Sequence, residues 1–225
     1  MGEATSDYLV HAMDPVLAVA LGFIGFAVAL ALQFSMRRYL AWTYWFAVVM
    51  VGVFGTMAAD VLHVKFGVPY IASSALYAVA LLAVFATWHK YERTLSIHSV
   101  DTARREAFYW ATVVATFALG TAVGDLTAAT LDLGYFYSAV LFAGVILIPA
   151  FGYWRLHWNS IFTFWFAYVV TRPLGASIGD YLSSAQSDGG LGFGTTATSF
   201  IFLGAILVLV VYLTITKKDR IEIAE

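Results

Sequence analysis

Long apolar segments alternate with short polar connections along almost the whole chain. Seven of these segments reach about twenty residues, the length that a helix needs to cross a bilayer core roughly 30 Å thick. They comprise residues 15–35, 42–63, 69–88, 108–129, 134–153, 160–182 and 191–215. Because lipid offers no partners for backbone amides, the pattern predicts an all-α integral membrane bundle with seven transmembrane helices.

Composition agrees with this architecture and excludes several kinds of site. Of the 225 residues, 61% are hydrophobic and 12% are charged, about half the charged fraction of a typical soluble domain. The absence of cysteine excludes disulfides and thiolate metal sites. The sequence has no glycine-rich phosphate loop, basic nucleic-acid patch or nucleophile–base pair. We therefore expect neither a nucleic-acid partner nor an enzyme.

Basic residues are concentrated in the connections that alternate helices would place on one side of the membrane. Ten of the twelve lysines and arginines lie there: Arg37, Arg38, Lys90, Arg93, Arg104, Arg105, Arg155, Lys217, Lys218 and Arg220. The positive-inside rule then predicts a cytoplasmic C-terminus and an N-terminus on the outer side. The seven tryptophans lie near the same ends of the segments, which predicts an interfacial aromatic belt.

Three of the apolar segments align with one another without gaps. They read YWFAVVMVGVFGTMAAD (44–60), YWATVVATFALGTAVGD (109–125) and FWFAYVVTRPLGASIGD (164–180), a shared pattern of aromatic–Trp–x9–Gly–x4–Asp. A second apolar segment follows each copy, so the repeating unit is two helices long. The opening GEATSDYL has the same Gly–x4–Asp spacing and is interpreted as the end of a truncated first repeat.

The repeats define the predicted organisation of one transmembrane domain spanning residues 1–225. Two-helix units all cross the membrane in the same direction, so the repeats are predicted to be parallel around a pseudo-symmetry axis normal to the membrane. The predicted repeats are 1–37, 38–93, 104–157 and 158–218, with 89–106 as a cytoplasmic loop.

The repeated motif supplies the candidate functional residues. Small residues four positions apart let helices approach closely in lipid, which predicts a helix-packing role for Gly55, Gly120, Gly124, Gly175 and Gly179. Acidic residues within a membrane protein are functional candidates by default. The predicted transport or ligand pathway comprises Asp7, Asp60, Asp125, Asp180, Arg172, Glu3, Thr56 and Thr121.

The sequence allows more than one role for Arg172 and for two histidines. Arg172 lies near the middle of the sixth segment and is expected to pair with an acid of the bundle. It is interpreted as a structural ion pair, as a tethered cation that competes with a transported one, or as an anion anchor. Asp7 and His11 are four residues apart, and Asp60 and His63 are three apart, so each pair lies on one face of its own helix. Together with the stripe of Glu3, Asp7 and His11, this spacing makes Asp7, His11, Asp60 and His63 candidate metal ligands.

The chain resembles a family of bacterial membrane-anchored proteins with four tandem copies of a two-helix repeat of unknown function. The resemblance is carried by GEATSDYL, GTMAAD, TLSIH, RREAFYWA, FALGTAVGDL, TRPLGASIGDYLS and GGLGFGTT. It implies eight helices in the bacterial inner membrane, the first of them preceding Gly2. This chain begins inside the first repeat, and a start assigned too late, at a GUG valine codon, would explain the difference.

The leading functional hypothesis is a transporter or channel for a cation. Rings of carboxylates select cations, and all-oxygen sites suit hard divalent ions such as Mn²⁺. The divalent ion is expected as a substrate, with proton coupling through the same carboxylates, and no other cofactor is expected. The alternative is a membrane-embedded binding or sensory protein for a small ligand, and a third hypothesis is an intramembrane enzyme. Partners are expected to be the lipid bilayer, the cation or ligand, and a second copy in a homo-oligomer.

Overall fold

The computed structural model describes residues 1–36 and 39–218, which are almost entirely helical. The α-helices of these residues are α1 (Gly2–Ala12), α2 (Pro15–Ser35), α3 (Ala41–Asp60), α4 (Tyr70–Glu92), α5 (Ala103–Asp125), α6 (Gly134–Val145), α7 (Leu147–Leu156), α8 (Ser160–Ser183) and α9 (Gly194–Thr216). With α6 and α7 counted as one span, seven helices of the described residues are long and apolar enough to cross a membrane. The predicted all-α membrane bundle is confirmed.

Local polar residues set several helix ends. Asp14 accepts hydrogen bonds from the backbone amides of Val16 and Leu17, and Pro15 opens α2 where its missing amide costs nothing. Asn159 caps α8 in the same way. Glu92 forms ion pairs with both Arg104 and Arg105. Because these charges pair with one another, α4 and α5 extend beyond the apolar segments that the sequence predicted at 69–88 and 108–129.

Four helices form a ring around the axis of the bundle. We call α1, α3, α5 and α8 the ring helices, because each packs against the next and α8 packs back against α1. The remaining helices are outer helices: α2 packs on α3, α4 on α5, α6 on α8 and α9 on α1. Each outer helix therefore covers the ring helix of the following repeat, and the arrangement continues around the closed ring.

The motif glycines show how closely neighbouring ring helices approach. A Cβ atom built on Gly2 would lie 2.7 Å from the carbonyl carbon of Gly52, and one on Gly55 would lie 2.8 Å from the Cβ of Phe117. A Cβ on Gly120 would overlap the Cβ of Arg172. In each pair the partner stands three residues before the glycine of the next repeat, so the seams are built alike.

The spacing at the remaining predicted packing glycines is wider than at these seams. A Cβ on Gly124 would lie 3.3 Å from the Cβ of Ala176, and one on Gly179 would lie 3.7 Å from the Cβ of Glu3. Gly175 is the exception to the predicted helix-packing role, since no atom lies within 4 Å of a Cβ placed there. Its open side faces a cavity described below.

Three of the seven tryptophans are core residues, whereas Trp42 and Trp154 are exposed. Trp88 is 0% exposed, and Trp110 and Trp165 are also buried, so the predicted interfacial belt is wrong for these three. Trp165 packs edge-on against Phe85 and donates a hydrogen bond from Nε1 to the carbonyl of Leu95 at 2.8 Å. Because aromatic neighbours and a backbone acceptor satisfy both parts of the indole, it is held inside the bundle.

The two ends of the bundle carry different chemistry. We call the end with Asp7, Asp60, Asp125 and Asp180 the aspartate end, and the end with Trp45, Trp110 and Trp165 the tryptophan end. Arg37, Arg38 and Arg220, which contribute to the predicted orientation, lie outside the described residues. That orientation stays a prediction. Apolar side chains on the outer helices, such as Val16 and Val208, are exposed, which suits contact with lipid.

Candidate functional site

Five carboxylates meet at the aspartate end of the ring. One oxygen from each of Glu3, Asp125 and Asp180 lies within 4.8 Å of the other two. Glu3, Asp7 and Asp60 form a second group with the same spacing. Glu3 belongs to both groups and is 9% exposed. The structure therefore brings all four predicted motif aspartates around the Glu3 carboxylate.

Hydroxyl groups hold Glu3 in the centre of the ring. Thr121 Oγ1 donates a hydrogen bond to Glu3 Oε2 at 3.1 Å, and Thr56 Oγ1 donates to the same oxygen at 3.3 Å. The two hydroxyl oxygens lie 3.2 Å apart. Glu3, Thr56, Thr121 and Ala176 each follow a motif glycine, so they form one layer of the ring.

No ion pair to a described side chain compensates the charge of this cluster. Among residues 1–36 and 39–218, the ion pairs between side chains join Glu92 or Asp101 to Arg104 and Arg105, far along the chain from the motif acids. Asp180 is 8% exposed and makes no hydrogen bond or ion pair through its carboxylate to the described residues. Carboxylates this close repel one another unless protons or cations lie between them.

Two cavities lie on the two sides of Glu3. The outer cavity, of about 580 Å³, is lined by all five carboxylates together with Met57, Lys65, Tyr70 and Tyr135. The inner cavity, of about 230 Å³, is lined by Glu3, Thr56, Thr121, Trp45 and Arg172 and by the open side of Gly175. Glu3 lines both cavities. It therefore stands between the two cavities.

Arg172 lacks the acidic partner that the sequence predicts for it. In the described part of the chain it forms no ion pair, and its guanidinium carbon lies 4.0 Å from the ring centre of Phe117 and 4.4 Å from that of Tyr168. The physical reason is distance along the helix. Arg172 precedes Asp180 by eight residues, which is about 12 Å of rise in an α-helix. Aromatic faces stabilise the charge instead.

The two candidate histidines take part in local contacts. His11 donates from Nδ1 to the carbonyl of Asp7 at 2.7 Å. His63 donates from Nδ1 to the carbonyl of Val68 at 2.9 Å, and its ring stacks on Tyr70. Neither histidine belongs to the two groups of potential metal ligands found in the described residues. The site that the structure assembles is therefore made of carboxylates.

Two features of the site lie outside the sequence-based prediction. Five-residue π-helical segments, Val61–Lys65 and Leu126–Thr130, follow directly after Asp60 and Asp125. Such segments occur preferentially at functional sites. Tyr70 and Tyr135, which line the outer cavity, each stand ten residues after a motif aspartate. That shared spacing is a signal in the repeats that identifies these tyrosines.

Comparison with protein families identifies the repeats. Residues 43–94, 108–157 and 163–219 match the family described as Repeat of Unknown Function (DUF347). The chain belongs to this family. Each matched stretch contains one ring helix and the outer helix that follows it. The resemblance to a tandem-repeat family of unknown function is thereby confirmed.

The DUF347 repeats cover three of the four ring helices. Helix α1, which carries Glu3 and Asp7, lies outside the matched stretches. Comparison with curated proteins and with solved structures finds no match. Since the family description names no activity, function has to be argued from the carboxylates that the repeats and α1 assemble.

Proposed function

We propose that this DUF347 protein carries cations across the membrane through the carboxylate cluster around Glu3. The observation that supports this most directly is the position of Glu3 within 4.8 Å of all four motif aspartates and at the junction of two cavities. Acids assembled within a helical bundle lower the energy of a cation there, and they mark ion pathways in membrane proteins.

A hard divalent cation such as Mn²⁺ is the proposed substrate. Each group of three carboxylates offers oxygen ligands close enough together to bind one ion, and such ligands suit Mg²⁺, Ca²⁺ and Mn²⁺. The outer cavity of about 580 Å³ has room for a hydrated ion, since one water occupies on the order of 30 Å³. The ion would exchange waters for carboxylate oxygens as it reaches Glu3.

Proton coupling belongs to the same proposal. When no metal is bound, protons are the other cations that can relieve repulsion within five neighbouring carboxylates. A metal ion that enters would displace them, so metal movement in one direction would be accompanied by proton movement in the other. The coupling requires no residues beyond those already in the cluster.

The first test is binding of metal to purified protein in detergent. Thermal unfolding would be followed over a Mn²⁺, Mg²⁺ and Ca²⁺ titration for wild type, Asp125→Asn and Asp180→Asn. A ligand at one hundred times its Kd stabilises the folded state by about 2.7 kcal/mol, and we expect both substitutions to remove most of that gain. Asp132→Asn is the matched control, because Asp132 is exposed, lies outside the cluster and has φ 56°, which asparagine tolerates.

The second test measures transport in proteoliposomes. Wild type and the Asp132→Asn control are expected to take up Mn²⁺, and Asp125→Asn and Asp180→Asn to lose uptake while folding normally. Unchanged Mn²⁺ flux in both substituted proteins would contradict the proposal. Saturable metal binding without any flux would instead favour a membrane-embedded binding or sensory protein.

A further inference from the structure

Arg172 lies close to the acidic site on its inner side. It stands three residues before its motif glycine, whereas Glu3 stands one residue after its own. This difference of four residues corresponds to about 6 Å along a ring helix. Gly120 contacts the Cβ and backbone of Arg172, and the next residue, Thr121, donates its hydrogen bond to Glu3. Arg172 and Glu3 line the same inner cavity.

The guanidinium of Arg172 is charged and only weakly compensated by its immediate neighbours. It packs over Phe117 and Tyr168, and its Nε atom is buried without a hydrogen-bond partner among the described residues. Arginine keeps its charge in proteins, and an unpaired charge inside a membrane protein is costly. Across the inner cavity that Arg172 lines stands Glu3, the central acid of the carboxylate cluster.

The repeats indicate that this charge is not needed to build the ring. The equivalent positions in the other two complete copies hold Gly52 and Phe117, and the seams at those positions close in the same way. Phe117 is itself the platform on which the guanidinium rests. An arginine occurs at this position in one copy only, and the other copies pack without it. We therefore look for its role in the carboxylate site.

We propose that Arg172 is a built-in counter-cation that weakens metal binding at the carboxylate cluster and raises the energy of a metal ion in the inner cavity. The proposal rests on the proposed cation function of the cluster. A metal ion at Glu3 is repelled by Arg172, and an ion moving further inward has to pass directly beside it. The arginine therefore makes the site release its ion and prevents free leakage along the axis.

The test is a Mn²⁺ titration of thermal unfolding on purified wild type, Arg172→Gln and Arg172→Lys. Removing a positive charge that lines the same inner cavity as Glu3 is expected to tighten Mn²⁺ binding roughly threefold to tenfold in Arg172→Gln. Arg172→Lys keeps the charge and is expected to stay within about twofold of wild type. In proteoliposomes Arg172→Gln should also show faster Mn²⁺ entry without a proton gradient, whereas Arg172→Lys should not.

A substitution of Phe117, the aromatic residue under the guanidinium, is expected to change the Mn²⁺ affinity in the opposite direction. Phe117→Leu leaves the arginine in place and removes one aromatic face, so the guanidinium is free to approach Glu3. We expect weaker Mn²⁺ binding than in wild type. A merely structural role for Arg172 would not produce tighter binding in one variant, weaker binding in the other and rescue by lysine.

The outcomes separate this inference from the proposed function. If wild type binds Mn²⁺ and Asp180→Asn does not, but Arg172→Gln and Arg172→Lys have equal affinities, the counter-cation role is wrong and the cation site stands. If neither wild type nor Arg172→Gln responds to Mn²⁺, both proposals are wrong. Should Arg172→Gln fail to fold, Phe117→Leu decides: an Mn²⁺ affinity equal to or above that of wild type overturns the inference.

Discussion

Gly120 and Gly175 occupy the same position in successive repeats and have opposite surroundings. At Gly120, on the seam between α5 and α8, an added Cβ would overlap Arg172. At Gly175 the same atom would enter the inner cavity without meeting anything within 4 Å. One motif position thus closes the ring in one repeat and borders the inner cavity in the next. The same sequence pattern therefore does not ensure the same structural role.

Gly120→Ala is expected to have the largest effect on this comparison. The new Cβ would collide with the Cβ and backbone of Arg172, and overpacking of this kind costs about 1–3 kcal/mol. Denaturant-induced unfolding in detergent should show a lower free energy of unfolding. A free energy equal to that of wild type would mean that the α5–α8 seam is looser than the structure indicates.

Thr121→Val is expected to have an intermediate effect. The substitution keeps the shape of the side chain and removes its hydrogen bond to Glu3, a loss of about 1 kcal/mol or somewhat more because the acceptor is a carboxylate. Combined with Thr56→Val it should show non-additive losses, because both hydroxyls bond the same oxygen. Thr214→Val is the control and should change stability little, because Thr214 is exposed on α9 and its hydroxyl bonds only the carbonyl of Val210 within its own helix. Strict additivity of the two losses would contradict a shared contact.

Gly175→Ala is expected to have the smallest effect, with the opposite sign. Alanine in a helix interior is favoured over glycine by roughly 0.5–1 kcal/mol, and here its methyl group has room. The free energy of unfolding should therefore rise slightly. A destabilisation as large as that of Gly120→Ala would show that the inner cavity is closed around Gly175 in the folded protein.

The parts of the molecule that depend on local sequence could be predicted. A membrane helix needs only a sufficiently long apolar segment, so the seven spans follow from the pattern of residues. The convergence of Asp60, Asp125 and Asp180 follows from equal spacing in parallel repeats. The same spacing places Asp7 and Glu3 on a fourth ring helix, although α1 is too short to span a membrane by itself.

The parts that depend on contacts between helices could not be predicted. Burial of Trp88 and Trp165 requires knowing which aromatic side chains face them across the seams. The Arg172 guanidinium packs on Phe117 because α5 and α8 approach closely at Gly120. The sequence shows only the charge of Arg172, from which we predicted an acidic partner. The π-helical segments after Asp60 and Asp125 cannot be recognised from their residues, which are VLHVK and LTAAT.

The layer that contains Glu3 has a consequence for how such a protein could arise by gene duplication. A ring built from four identical copies repeats any side chain four times at each level. Four glutamates at the level of Glu3 would crowd the space where Thr56 and Thr121 now donate hydrogen bonds to a single carboxylate. The glutamate with its two donors is compatible only with copies that have diverged. Asymmetry at this level is thus a prerequisite for the site, and a consensus design that restored identical repeats would remove it.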